Sequence, residues 1–377
     1  MGIVDFDTCE GTDEFLWACD QLEVRGTVSL ETLVFLPEFS DRVITSRGQP
    51  GVAYYLLSGF TAEGSSPSTN ASLSDIKGFM TRRNTRIVQT LNDYLHPLKV
   101  DYEADVVSLS AGETPTERHL MEAYYQSAIS TLDDPVAFWS EYLGVENSEI
   151  KRLQTQPPSF RRLMRDKLIK SGGIAYQTPD ASNYPPIELI NQLSDQTGTL
   201  PTLVWGSGAS EGEREEAVLL EFLVQKGLLG LNIVPDRSVN VPDSEKVFKL
   251  KCLHEVVSLA AQLDLSIFIG TEMNMPGHKA VDDLTMPDLA PFKQTFMEGA
   301  YLLHAHTLLA RHAGLGYRSD WSADQFADRR SRNDFYAKLG ARLPNTAESR
   351  DFLTRLPTDL SPRDLLNQVN EKFTQFN

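Results

Sequence analysis

Three short apolar runs, residues 2–4, 202–205 in TLVWGSG and 266–269 in SIFIGTEMN, each give way to glycine and polar residues and then to a stretch with helical spacing. Runs this short and continuous suit strands buried on both faces of a parallel sheet. Strand and helix in alternation define the α/β class, in which the loops after the strand C-termini carry the site. GTVSLET (26–32), VAYYLLSGF (52–60) and GLLGLNIVPD (227–236) supply further strands. From Val247 onward, Leu250, Leu253, Val257, Leu259 and Leu263 fall mostly on one helical face and lead straight into SIFIG, a helix-then-strand unit.

The stretch from about residue 73 to 171 is of another kind, with helical periodicity, many arginines and almost no strand-like runs. It reads as a helical insertion: Leu91, Leu95 and Leu98 share a face, and DDPVAFWSEYLG (133–144) is a capped helix with Pro135 in its first turn. TAEGSSPSTNASLSD (61–75) reads as a polar loop leading into it. From about residue 287 the pattern is helical again, broken by prolines near the end, where Thr358 and Ser361 are N-cap candidates. The expected organisation is a first barrel part (1–72), the insertion (73–171), a second barrel part (172–286) and a helical C-terminal extension (287–377).

With 377 residues, 41% hydrophobic, the chain can bury one large core or one core with an inserted subdomain. Its formal charge of −17, from 52 acidic and 35 basic side chains, argues against a grip on duplex nucleic acid and leaves room for a small anion held by a few arginines. Cys9, Cys19 and Cys252 show neither a disulfide framework nor zinc-type spacing, so reduced thiols and a cytoplasmic location are expected. No window approaches the roughly 18 apolar residues of a membrane span, and no secretory leader pattern opens the chain, so no membrane partner is expected.

Taken together, the strand ends resemble those of the PHP (polymerase and histidinol phosphatase) family. GIVDFDTCEGTDEF with the strand reaching Glu31 resembles that family's T-D-H-D-T and G-x-E motif, YYLLSGF its H-x-L-G-Y, TLVWGSG the strand ending in A-H-P, and IGTEMNMPGH its G-S-D-x-H. TERHLMEAYYQSAISTLDDPVAFWSEYLG resembles the R-P-H-L-A…F-x-x-Y-L-G insertion of the branch that dephosphorylates nucleotides and trims RNA 5′ ends. The likeness spans roughly residues 2 to 285. It implies an α/β fold, a distorted βα (TIM-like) barrel, and a phosphoesterase that uses divalent metal (Mn, Zn or Fe). The ligand histidines of the motifs fall on Phe6, Tyr55 and Trp205, the last aspartate on Glu272 and the last histidine on Asn274, while Glu31 keeps its ligand type. The family's first motif, H-x-H, has no counterpart in this chain.

The candidate residues follow. Glu31 and Glu272 are the expected metal ligands. Asp5 and Asp7 flank a strand end, as catalytic carboxylates or as turn and capping groups. Glu272, Asn274 and His278 form a dense polar cluster, in which carboxylate and imidazole could do acid–base work or a Pro-Gly turn could simply be capped. Phe6, Tyr55 and Trp205 could wall an apolar or stacking pocket, or fill a vacated metal site as core. Arg118 and His119 match the insertion motif near the substrate phosphate, or begin a solvated helix. Asp236 and Arg237 follow a strand and could pair with each other or with an anion. GSGASEG (206–212) could cradle phosphate but lacks a P-loop lysine. His304 and His306, two apart on a helix, cannot chelate together and read with His312 as ordinary helix residues. Two functions result: a divergent metal-dependent phosphoesterase acting on a nucleotide or other small phosphorylated compound, or a degenerate barrel that binds a small ligand through an aromatic-lined pocket with no cofactor.

Overall fold

The computed structural model describes residues 1–62, 66–110, 112–273, 278–357 and 359–373. The apolar runs pair as one six-stranded sheet whose strands lie in chain order: β1 (Gly2–Phe6), β2 (Thr27–Phe35), β3 (Val52–Phe60), β4 (Leu200–Trp205), β5 (Gly230–Ile233) and β6 (Ser266–Ile269). β1–β2, β4–β5 and β5–β6 are parallel, and β3 runs antiparallel to both its neighbours. Reversal of β3 brings its first residues, Val52 to Tyr55, level with the C-terminal ends of the other strands. β1 and β6 are edges that do not pair with each other, so the expected barrel is a half-barrel, open along one seam.

Side chains alternate across this sheet. Leu30, Val34, Tyr55, Leu203, Trp205 and Ile233 enter the main core, which they share with α1 (Thr12–Gln21) and several later helices. Leu33, Phe35 and Tyr54 point the other way and cluster with Phe6 and Tyr184.

Between β3 and β4, where an insertion is expected, run α2 (Pro67–Tyr94), α3 (Glu117–Thr131), α4 (Pro135–Leu143), α5 (Asn147–Gln154) and α6 (Pro157–Leu168), gathered on a core that includes Leu91, Leu95, Leu98, Tyr124, Trp139 and Phe160. α2 starts inside the stretch expected to be a loop. Ser66 accepts the Thr69 amide at 3.1 Å and Pro67 takes the first helical position, a combination that nucleates a helix there. α7 (Ile187–Thr197), α8 (Glu216–Gln225), the short α9 (Asp236–Val239) and α10 (Asp243–Gln262) alternate with β4 to β6; α7, α8 and α10 contribute most of the helical residues that cover the main core.

The C-terminal helices are α11 (Lys293–Ala313), α12 (Asp320–Gln325), α13 (Arg329–Arg342), α14 (Ala347–Thr354) and α15 (Pro362–Lys372). Ser361 caps α15 by accepting the Asp364 amide, whereas Thr358 lies outside the described residues. α11 lies across the sheet and shares a third core with Leu200 and Phe268. Two glycines permit this closeness. A Cβ on Gly299 would stand 1.8 Å from the Ile267 carbonyl oxygen, and one on Gly340 of α13 would stand 1.9 Å from that of Tyr301. His306 Nδ1 accepts the Tyr317 amide at 3.1 Å, so its Nε2 carries the proton donated to the Gly59 carbonyl at 2.9 Å. His304 Nε2 meets the Leu343 carbonyl at 2.9 Å. Both rings are structural, and burial pushes them down to about 3 for His304 and about 4 for His306.

Candidate functional site

Carboxylates and guanidinium groups from β1, β2 and the insertion meet those of the β5 and β6 ends. Asp7, directly after β1, has a left-handed backbone (φ 57°), uncommon for a residue with a side chain. Its amide donates to the Glu31 carbonyl at 2.8 Å and its carboxylate accepts the Thr32 hydroxyl at 2.6 Å. Burial raises its carboxyl to about 6, against the opposing pull of Thr32 and of Arg83 on α2. Glu31 lies beside Phe6 in the β1–β2 register, and its carboxylate has no hydrogen-bond partner among the described residues. Burial raises it to about 7; Arg237 pulls the value down, while Glu272 and Asp7 push it further up. Arg237, at the start of α9, grips Glu272 with two nitrogens: Nη2 is 3.0 Å from both carboxylate oxygens and Nε is 3.1 Å from Oε2. Tyr54 faces this group, its phenol raised by burial first and then by Glu31 and Glu117.

The insertion contributes charge that no motif had indicated. Arg83 lies over the Tyr184 ring, 4.7 Å from its centre, and Arg165 stands 3.9 Å from Glu117, which also pairs with Lys170 at 2.7 Å. The Nε atoms of Arg83 and Arg165 are buried without a hydrogen-bond partner among the described residues.

Other expected site residues sit elsewhere. Tyr55 is fully buried on the core face of β3 and donates its hydroxyl to Asn191 at 3.3 Å; Trp205 is buried in the same core. The register that pairs Tyr55 with Thr32 leaves its neighbour Tyr54 on the site face, so Tyr55 and Trp205 pack as core and of the three aromatics Phe6 lies beside the site. Asp5 pairs with Leu30 one position away from Glu31, which turns it to the opposite face, where it is exposed. His119 completes a capping box, its Nδ1 accepting the Thr116 amide at 3.0 Å, and Arg118 is exposed on the first turn of α3, leaving Glu117 as the charged residue of TERHL that pairs with Arg165 and Lys170. His278 is exposed beside Asp236, whose carboxyl, against the effect of burial, is held below its ordinary value by Lys279 at 3.0 Å and by Asn240, with a smaller pull from His278. Asn274 lies outside the described residues.

Arg237 also forms one wall of a cleft of about 610 Å³ between residues 43–48 and the β4–α8 loop, with Ile44, Arg47, Ser207, Glu213 and Lys249 among its other walls. The glycine-rich loop does cradle an anion, and that anion belongs to the chain itself. The amides of Gly206, Ser207 (3.3 Å) and Ser210 (3.5 Å) and the Ser210 hydroxyl (3.2 Å) all converge on the buried Glu213 carboxylate. Ser210 Oγ in return accepts the Glu213 amide at 3.1 Å. Sequence reasoning missed Glu213, although Ser210-Glu211-Gly212-Glu213 is an S-x-x-E capping box and could have revealed it. For Arg83 and Arg165 no such local signal exists.

A PHP-type metal cluster would need several imidazole and carboxylate ligands around one point. Among the described residues no three His, Cys, Asp or Glu side chains are placed to hold a metal ion. Glu272 gives both oxygens to a guanidinium, and that positive charge beside Glu31 would repel a divalent cation. The residues do not fit the cluster that the resemblance implies.

No family model matches the chain, and no curated protein matches it. Among solved structures it is similar to an amidohydrolase from Chromobacterium violaceum, solved with bound sulfate and no metal (TM-score 0.48, 14% identity, 78% of this chain and 84% of that one). It is also similar to a proposed metal-dependent phosphoesterase from Bifidobacterium adolescentis (TM-score 0.45, 13% identity, 78% and 85%). Neither likeness reaches a TM-score of 0.5, so neither bears on the chemistry.

Proposed function

We propose that this chain is a PHP-like half-barrel that binds a small anionic ligand, phosphorylated or nucleotide-like, in the cleft at its strand ends without a metal ion. The order and spacing of its strand-end motifs support the PHP-like part. The observation that carries the metal-free part is the two-pronged Arg237–Glu272 pair, in which a side-chain cation stands against a carboxylate expected to hold metal. The cleft has the volume of a small-molecule site. Arg47 on its wall has no ion-pair partner among the described residues and is free to take a ligand anion, with Lys249 nearby. The test joins two measurements. Metal content after incubation with Mn, Zn and Fe should stay well below one ion per chain, and calorimetry with AMP and ribose 5-phosphate should give binding that Arg47→Ala weakens at least tenfold. Near-stoichiometric metal that disappears in a Glu31→Gln, Glu272→Gln double variant would overturn the metal-free reading; binding unchanged in Arg47→Ala would overturn the cleft.

A second reading, turnover of the bound ligand, rests on Glu31. A carboxyl raised to about 7 is poised to take and return a proton near neutral pH. Glu31→Gln would then abolish turnover and leave binding of the same ligand in place.

A further inference from the structure

We propose that residues 206–210 form a self-sufficient anion nest and that Glu213, its built-in tenant, is a specificity residue of the cleft: it keeps ligand oxyanions off that wall and leaves Arg47 as their seat. The inference rests on the reading of the cleft as a ligand site. The nest is built to hold an anion, since the amides of Gly206, Ser207 and Ser210 and the Ser210 hydroxyl aim at one carboxylate. It is shaped by the backbone as well: a Cβ on Gly206 would come within 2.8 Å of Glu213 Oε1, so a larger residue there would push the carboxylate out of its present position.

The tenant is deeply set. Glu213 is 4% exposed and forms no ion pair with Arg47, Arg237 or Lys249, although all four line the cleft. Its charge is therefore met by backbone dipoles; Arg237 and Lys249 pair with Glu272 and Glu245, and Arg47 stays available. A phosphate or carboxylate arriving at the nest would meet a like charge already in place and find the amide donors used. At Arg47 it meets a cation with no competing partner among the described residues. The cleft thus has one wall open to anions and one closed to them.

The experiment uses the full chain with Glu213→Ala and Glu213→Gln, with formate and acetate as probes and chloride as the ionic-strength control. Truncation to alanine removes the equivalent of one acetate and empties the nest. Glu213→Ala is expected to melt below the wild type and to recover with formate or acetate in a saturable way. Recovery should be roughly 2 °C for each tenfold rise in anion beyond half-saturation. Glu213→Gln still fills the nest and is expected to show no such rescue, nor is the wild type. A merely structural glutamate would give loss of stability without anion-specific recovery. Equal response to chloride and formate, or a Glu213→Ala chain that stays unfolded at every formate concentration, would overturn the proposal. These outcomes are read without any phosphorylated ligand, so anion rescue in a protein that binds neither AMP nor ribose 5-phosphate would fell the function proposed for the cleft and leave the nest standing.

Discussion

Arg237 and Glu272 stand at the ends of adjacent strands with the guanidinium Nη2 3.0 Å from each carboxylate oxygen. Their side chains are 39% and 35% accessible, so water weakens the pair, and its two-pronged geometry recovers part of that loss. A double-mutant cycle of Arg237→Ala and Glu272→Ala, followed by urea denaturation, should give a coupling of about 0.5–1.5 kcal/mol. Simple additivity of the two single losses would mean that the pair holds nothing together.

Glu31 and Asp7 make the fold less stable as pH rises. Their carboxyls, raised to about 7 and about 6, hold protons in the folded state that the unfolded chain, with ordinary carboxyls, has already released. The stability they contribute is complete below pH 4 and is lost as pH climbs through 6 to 7. Glu31→Gln removes that penalty and should be more stable than the wild type at pH 8 by on the order of 1–3 kcal/mol, with little difference at pH 4. Parallel stability curves for the two proteins between those pH values would refute the assignment.

The six strands were legible because each centres on a short apolar stretch bounded by glycine or polar residues, and backbone pairing needs little more than that. Which face a strand shows was less legible. Tyr54 and Tyr55 are chemically the same, and only the pairing of Tyr55 with Thr32 decides that the first belongs to the site and the second to the core. Arg237 was visible as a loop residue, but its partner lies 35 positions away on another strand end, a contact that no local pattern encodes. The same holds for Arg83 and Arg165, whose place depends on how the insertion folds back over the sheet. The glycine-rich loop was read as a phosphate cradle because its amides are suited to one; its tenant came from the same loop.

His304 and His306 act on stability in the opposite sense. Held down to about 3 and about 4, they stay neutral in the folded chain while unfolded histidines gain protons below about pH 6.5. Their contribution is therefore lost as pH falls from 6.5 toward 4. Asp7 and Glu31 gain over much of the same window, so the four groups largely cancel between about pH 4.5 and 6.5. Glu31→Gln should uncover the histidine slope and make stability fall more steeply with acid than in the wild type, by up to about 1.4 kcal/mol per pH unit. A profile unchanged from the wild type's would show that Glu31 does not take up the opposing proton.

Gly299 and Gly340 offer the sharpest test of how the C-terminal helices are seated. The atoms that a methyl group would strike, the carbonyl oxygens of Ile267 and Tyr301, belong to the backbone of β6 and α11 and cannot rotate away as a side chain could. Gly299→Ala must push α11 off the sheet, and Gly340→Ala must push α13 off α11. Each should cost about 3 kcal/mol or more, large enough to lower the urea midpoint plainly. Gly144 is the control: its φ of 63° disfavours alanine, but nothing lies within 4 Å of the added carbon, so Gly144→Ala should cost only about 1 kcal/mol. If Gly299→Ala proved as mild as Gly144→Ala, the close seating of α11 against β6 would be wrong. The hydrogen bond from His306 to Gly59, made further along the same helix, depends on that seating as well.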